Sequence, residues 1–178
     1  RWAARADALH TFRCSYKTVV DALEDLSMNY GDAKAGPFKL AITQFGFIIS
    51  LVAVESILAL LAPLSKMLQN KTCDLVEAVK EANMVSRLVA DQRNDPVIWN
   101  GLYERAVEMA ESVDVEPSRP RAPNVRQQHR QNVPADTISD YWKRNMFYPF
   151  VDHLTTELSD RLLQVEDRLL PRLRVGGC

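Results

Sequence analysis

Phe38 to Leu68, FKLAITQFGFIISLVAVESILALLAPLSKML, is an almost unbroken apolar run, and how it is read decides the fold. Its inner part, Phe45 to Ala62, reaches about the minimum length for crossing a bilayer. It nevertheless carries Gly46, Ser50, Glu55 and Ser56. A carboxylate near the middle of a lipid-facing helix costs roughly 2.5 kcal/mol or more. The run therefore reads as a helix buried in protein, apolar on so many sides that it must be central to a bundle. Pro63 removes one backbone donor and predicts a kink there.

The flanking segments supply helices to surround it. Leu9, Phe12, Tyr16, Val19, Val20, Leu23 and Leu26 recur at three- and four-residue spacing, predicting one helix from about Trp2 to Met28. Gly31 and Gly36-Pro37 should break the chain after it. Thr72 is the expected N-cap of the next helix, with Leu75, Val79, Ala82 and Leu88 facing inward. Asp95-Pro96, a capping carboxylate followed by proline, opens a helix carrying Ile98, Leu102, Met109 and Val113 inward. Thr137 with Asp140 three residues later approximates a capping box for a long last helix through Tyr141, Met146, Phe150, Leu154, Leu158 and Leu162, kinked at Pro149. No useful run of β-alternation occurs. The expected fold is all-α, a bundle of five to six helices: residues 1–116 as its core, 117–136 as a linker, 137–170 as the kinked C-terminal helix on the same bundle, and 171–178 as a frayed tail.

The 178 residues carry a net charge of −1, which excludes a uniformly basic nucleic-acid glove and leaves room only for local contacts. Three scattered cysteines, Cys14, Cys73 and Cys178, form no CxxC pair and fit reduced thiols inside a cell. Cys14 and Cys73 fall among apolar helix positions and are expected as buried small hydrophobes. The chain starts Arg1-Trp2 without an initiator methionine or signal-peptide core, as an excised or truncated piece of something longer would.

No Gly-rich phosphate loop, HExxH or GxSxG is present, so the short routes to cofactor, zinc and serine chemistry are closed. His153 is expected as a partly buried, hydrogen-bonded core histidine. Asp152, Glu157 and Asp160 could form a metal-binding face, but charge balance with Arg161 is the simpler account. Between Asp74 and Glu116 ten acids face four bases, predicting an acidic outer surface that is either merely solvated or a docking site.

The least ordinary segment is Glu116 to Asp136. Its prolines forbid helix. Between Pro117 and Pro134 it holds Arg119, Arg121, Arg126 and Arg130 with no acid. These guanidinium groups either straddle phosphates, with an affinity that falls as salt rises, or keep a crossing strap soluble and paired with the acidic face.

Several motifs, in order along the chain, resemble those of hAT-superfamily transposases. They are Arg1-Trp2-Ala3-Ala4-Arg5-Ala6-Asp7-Ala8-Leu9, then Leu61-Ala62-Pro63-Leu64-Ser65-Lys66-Met67-Leu68-Gln69, then Asp74-Leu75-Val76-Glu77-Ala78. The last is Arg126-Gln127-Gln128-His129-Arg130-Gln131-Asn132-Val133-Pro134-Ala135-Asp136 with Tyr141 to His153. The resemblance implies most of the helical insertion that splits an RNase H-like sheet in those enzymes. The first two metal-binding acids would precede Arg1. The glutamate motif that completes the set does not occur here, and after Leu163 the pattern is lost.

The resemblance thus implies a domain with no catalytic residue and no cofactor of its own, in a parent that would need a divalent metal such as magnesium. It implies DNA, the transposon ends, as partner through that parent, with Trp2 stacking near an extruded base and Arg1 on the phosphate side. Trp2 packing into the bundle is the competing reading. Arg119, Arg121, Arg126, His129 and Arg130 complete the expected nucleic-acid contacts. A homo-oligomer or a regulatory protein partner is allowed, no membrane is expected, and nuclear residence follows from the family alone. The alternatives are a domesticated protein-interaction module, in transcription or kinase-inhibitor regulation, and a decayed transposon fragment.

Overall fold

The computed structural model describes residues 2–69, 75–120 and 132–174, with side chains described for 4–69, 76–120 and 132–161. The described residues are all-helical and contain no strand. Helix α1 spans Trp2–Cys14, α2 Tyr16–Met28, α3 Ala35–Ile42, α4 Phe45–Leu68, α5 Leu75–Asn94 and α6 Pro96–Glu111. After the connector, α7 (Ile138–Trp142) passes through a π-helical turn, Lys143–Phe147, into α8 (Tyr148–Arg174).

The apolar run forms the centre of this bundle. Helix α4 packs against α1, α3, α5, α6 and the π-turn, and α8 lies along α5. Ile48, Ile49, Val52, Ala53 and Ile57 are excluded from solvent. α4 is long and apolar enough to span a membrane, but here those side chains meet other helices. Its one carboxylate is neutralised by α1: Glu55 Oε1 lies 2.8 Å from His10 Nδ1 and Oε2 3.3 Å from Arg13 Nε. Pro63 sits inside α4, which continues through it to Leu68.

Two of the expected helices are divided. The Trp2–Met28 helix breaks at Ser15, which lets α1 follow α4 while α2 turns to pack on α3. Tyr16, just past the break, is buried and donates its hydroxyl to the Ile42 carbonyl at 2.8 Å. The Phe38–Leu68 run breaks at Thr43–Gln44. Gly36-Pro37, expected to interrupt the chain, instead lies in the first turn of α3, where a missing proline N–H costs nothing. The turn before α3 does need Gly31, whose φ of 65° is open to glycine at no steric cost.

The caps at Asp95 and Thr137 form as expected: Asp95 accepts from the Val97 amide at 2.8 Å and Thr137 from the Asp140 amide at 3.0 Å. The Thr72 cap lies outside the described residues. On α5 the inward face is Ala78, Ala82, Val85, Ser86 and Val89. Leu88 points outward, because one residue of difference rotates a helical position by about 100°.

Candidate functional site

Both ends of the connector are stitched to the start of the last helix. Trp142 is buried, its ring edge-on to Phe45, and its Nε1 donates to the Ser118 carbonyl at 3.0 Å. Arg119 donates to the Asp136 carbonyl at 2.8 Å and lies over the Tyr141 ring at 5.7 Å. On the returning side, Asn145 grips Val133 twice, its Oδ1 accepting the amide at 2.6 Å and its Nδ2 donating to the carbonyl at 3.0 Å. Asn132 reaches the Tyr141 hydroxyl, and Arg144 the Pro134 carbonyl.

The π-turn places these side chains. Inserting one extra residue per turn shifts every later side chain around the helix axis, so Tyr141, Trp142 and Asn145 can meet the connector while Phe147 and Val151 face the core. Phe147 is fully buried and lies 5.2 Å from Trp99, whose Nε1 donates to Ser139 at 2.9 Å. The approach is close enough to require glycine on α4. A Cβ at Gly46 would sit 2.7 Å from Trp142 Cη2. Pro149 follows directly, at the second position of α8.

Of the residues expected to contact nucleic acid, Arg119 is exposed and engaged as above. Arg121, Arg126, His129 and Arg130 lie outside the described residues, as does Arg1; the side chain of Trp2 is also outside them. The structure adds two cations that lie inside the Tyr141 to His153 motif but are not among the expected contacts. Lys143 and Arg144 stand on the π-turn beside the connector's ends, Lys143 with its Nζ 5.8 Å from the Tyr148 ring.

The expected core histidine is not one. His153 is exposed, because Val151 and Leu154 take the inward positions of its turn. Nor is Cys14 a buried hydrophobe: it is a free, exposed thiol one residue before the α1–α2 break. Two carboxylates of α8 pair with arginines. Glu157 pairs with Arg161 at 3.5 Å along the helix, and Asp152 holds Arg93 of α5, whose guanidinium also stacks on Tyr148 at 4.4 Å. The Asp152 carboxylate is the main cause that raises the Arg93 pKa further. Among the described residues no group of three or more His, Cys, Asp or Glu is arranged to hold a metal ion.

A second feature stands at the opposite end of the chain. Leu26, Met28, Tyr30, Phe38 and Leu40 lie on or beside the α2–α3 corner and stay exposed, Met28, Tyr30 and Leu40 at 76%, 75% and 68%. Apolar residues scattered singly on a surface need no explanation, but five large ones left exposed within one helix–turn–helix segment make it a candidate interaction site. Glu24 and Lys39 pair across the corner at 2.6 Å. Around them lie the exposed carboxylates Asp21, Asp25 and Asp32 and the exposed bases Lys17 and Lys34, so the rim is only slightly acidic.

No family model matches the chain, and no solved structure matches it. It is similar to the human protein named 52 kDa repressor of the inhibitor of the protein kinase, with 24% identity over 169 residues. The mouse protein of the same name is 24% identical over 177 residues. In both cases the match takes in 90% of this chain and 22% of the relative. The homology is distant, and the chain spans about a fifth of the length of the curated relatives it matches.

Proposed function

We propose that this chain is a non-catalytic helical interaction module of a longer, hAT-derived regulatory protein, and that its α2–α3 corner receives a protein partner. The apolar corner is the observation that carries this reading: five large hydrophobic side chains around one turn remain in water. The distant similarity to a repressor supports a regulatory setting. The rim's small excess of acid favours as partner an amphipathic segment with apolar anchors and basic flanks, since complementary charge steers encounter and fixes register.

A photo-cross-linking residue at Phe38, with an exposed control at Glu104, identifies the partner; purified partner is then titrated against the chain. Replacing Phe38 and Leu40 together by serine is expected to weaken binding about tenfold or more. The unfolding midpoint should stay unchanged, because neither side chain is in the core. Full affinity in the double variant contradicts the proposal. Loss of self-association instead would make the occupant a second copy.

A second reading, a DNA-contacting insertion domain, is favoured by Arg119, Lys143 and Arg144 gathering where the basic connector leaves and returns. If it holds, changing Arg119, Arg121, Arg126 and Arg130 to alanine reduces the slope of log affinity against log salt by about 0.9 for each duplex phosphate that is no longer neutralised. Fluorescence anisotropy with duplex DNA at several salt concentrations reads this directly; an unchanged affinity and slope excludes it.

A further inference from the structure

His10, Arg13 and Cys14 stand at i, i+3 and i+4 on α1, and His10 and Arg13 both reach Glu55 of α4. Glu55 Oε1 is 2.8 Å from His10 Nδ1. With Nδ1–H donated to that carboxylate, the other ring nitrogen is left as an acceptor. That nitrogen, Nε2, lies 3.7 Å from the Cys14 sulfur. Thiol, imidazole and carboxylate thus stand in the order of an activated nucleophile, with a base in reach and the base oriented by a third group. The thiol itself is exposed.

A binding feature adjoins this line. Arg13 also lines an open cleft of about 300 Å³ between α1 and α6, with Val52 of α4 as its floor and Arg105, Glu108 and Met109 on the far wall. Arg13 Nε is shut off from solvent and makes no hydrogen bond, its ion pair with Glu55 being off-axis. Arg105 is exposed and has no ion pair among the described residues. Two guanidinium groups and one carboxylate, Glu108, therefore border a cleft whose lining includes Arg13, the neighbour of Cys14 in the chain, and cationic groups near an exposed thiol favour the thiolate that reacts.

We propose that Cys14 is a thiol–disulfide exchange site for small carboxylate-bearing disulfides, with the carboxylates held by Arg13 and Arg105. The thiol proton passes to His10 Nε2 and the sulfur attacks one sulfur of the incoming disulfide. A bond from Cys14 to that sulfur forms as the original S–S bond breaks. Its electron pair leaves on the second sulfur, which takes the proton back from the imidazolium and departs as a thiol. Cys14 is oxidised to the mixed disulfide, and the released half is reduced.

The test uses the full chain with Cys73→Ser and Cys178→Ser, so that mass spectrometry reports Cys14 alone. Glutathione disulfide is compared with the uncharged hydroxyethyl disulfide, in the folded chain and in the same chain unfolded in urea. The folded chain should form the mixed disulfide with glutathione about tenfold faster than the unfolded one. His10→Gln, at an exposed position, should remove that advantage for both reagents, and Arg105→Gln should remove it only for glutathione disulfide. Equal rates in folded and unfolded chains, or an unchanged rate in His10→Gln, overturn the relay. A reactive thiol without preference between the two reagents overturns the assigned ligand class.

Discussion

Trp142→Ala is expected to destabilise the fold by about 3–5 kcal/mol, the cost of removing a buried indole from a packed site. It should also release the connector. The indole packs edge-on to Phe45, closes over Gly46 and holds the Ser118 carbonyl, so its loss opens a cavity against α4 and frees the outgoing strand together. Gly46→Ala probes the same contact from the other side. A Cβ 2.7 Å from the buried indole forces a shift, at about 1–3 kcal/mol as for other overpacked cores. Combined with Trp142→Ala, the added methyl fills vacated space, so the two costs should not add. Urea unfolding of the four chains measures this; strict additivity would mean that the two positions do not meet.

The second large effect is a loss of stability at high pH. Burial pushes the Tyr16 phenol up to about 12, from about 10 for an ordinary tyrosine. The folded state therefore keeps its proton where the unfolded chain loses it. The stabilisation from neutral Tyr16 is present in full below pH ~10 and drains away as the pH rises toward 12, in total roughly 2–3 kcal/mol. Tyr16→Phe loses the bond to the Ile42 carbonyl, about 0.5–1.5 kcal/mol at pH 8, yet cannot ionise. Plotted against pH, the stability difference between the two chains should shrink and then reverse between pH 10 and 12. A constant difference would show that Tyr16 ionises as freely as in the unfolded chain.

Much of the architecture is legible in the residues. Glu55 makes Phe45–Leu68 a buried helix rather than a membrane span, and Asp95-Pro96 and Thr137 mark starts where the caps form. What stays hidden depends on neighbours. Apolar periodicity runs on across Ser15 as if nothing happened, because the break serves the different packing partners of α1 and α2. The π-turn has no motif of its own; the reason for it is that Asn145 and Trp142 must reach the connector while Phe147 stays in the core. Leu26 and Leu88 read as inward positions and lie outside, and Cys14 and His153 do likewise, since composition cannot say which side of a helix meets a partner. The candidate docking corner arises from the same ambiguity. Its side chains read as ordinary helix-forming apolar residues until the fold leaves them uncovered. The thiol line is equally invisible in the sequence, since its carboxylate comes from a helix 45 residues away from His10.

Both the docking corner and the connector site require α4 to be the water-excluded centre of a helical module. Native-state hydrogen exchange of the purified chain, without lipid or detergent, tests that most directly. Amides from Ile48 to Ile57 should be the slowest to exchange, opening only with global unfolding and with a denaturant dependence equal to that of the whole chain. If those amides exchange as quickly as the α3 corner, or become protected only on addition of phospholipid vesicles, the helix is not the core of this fold.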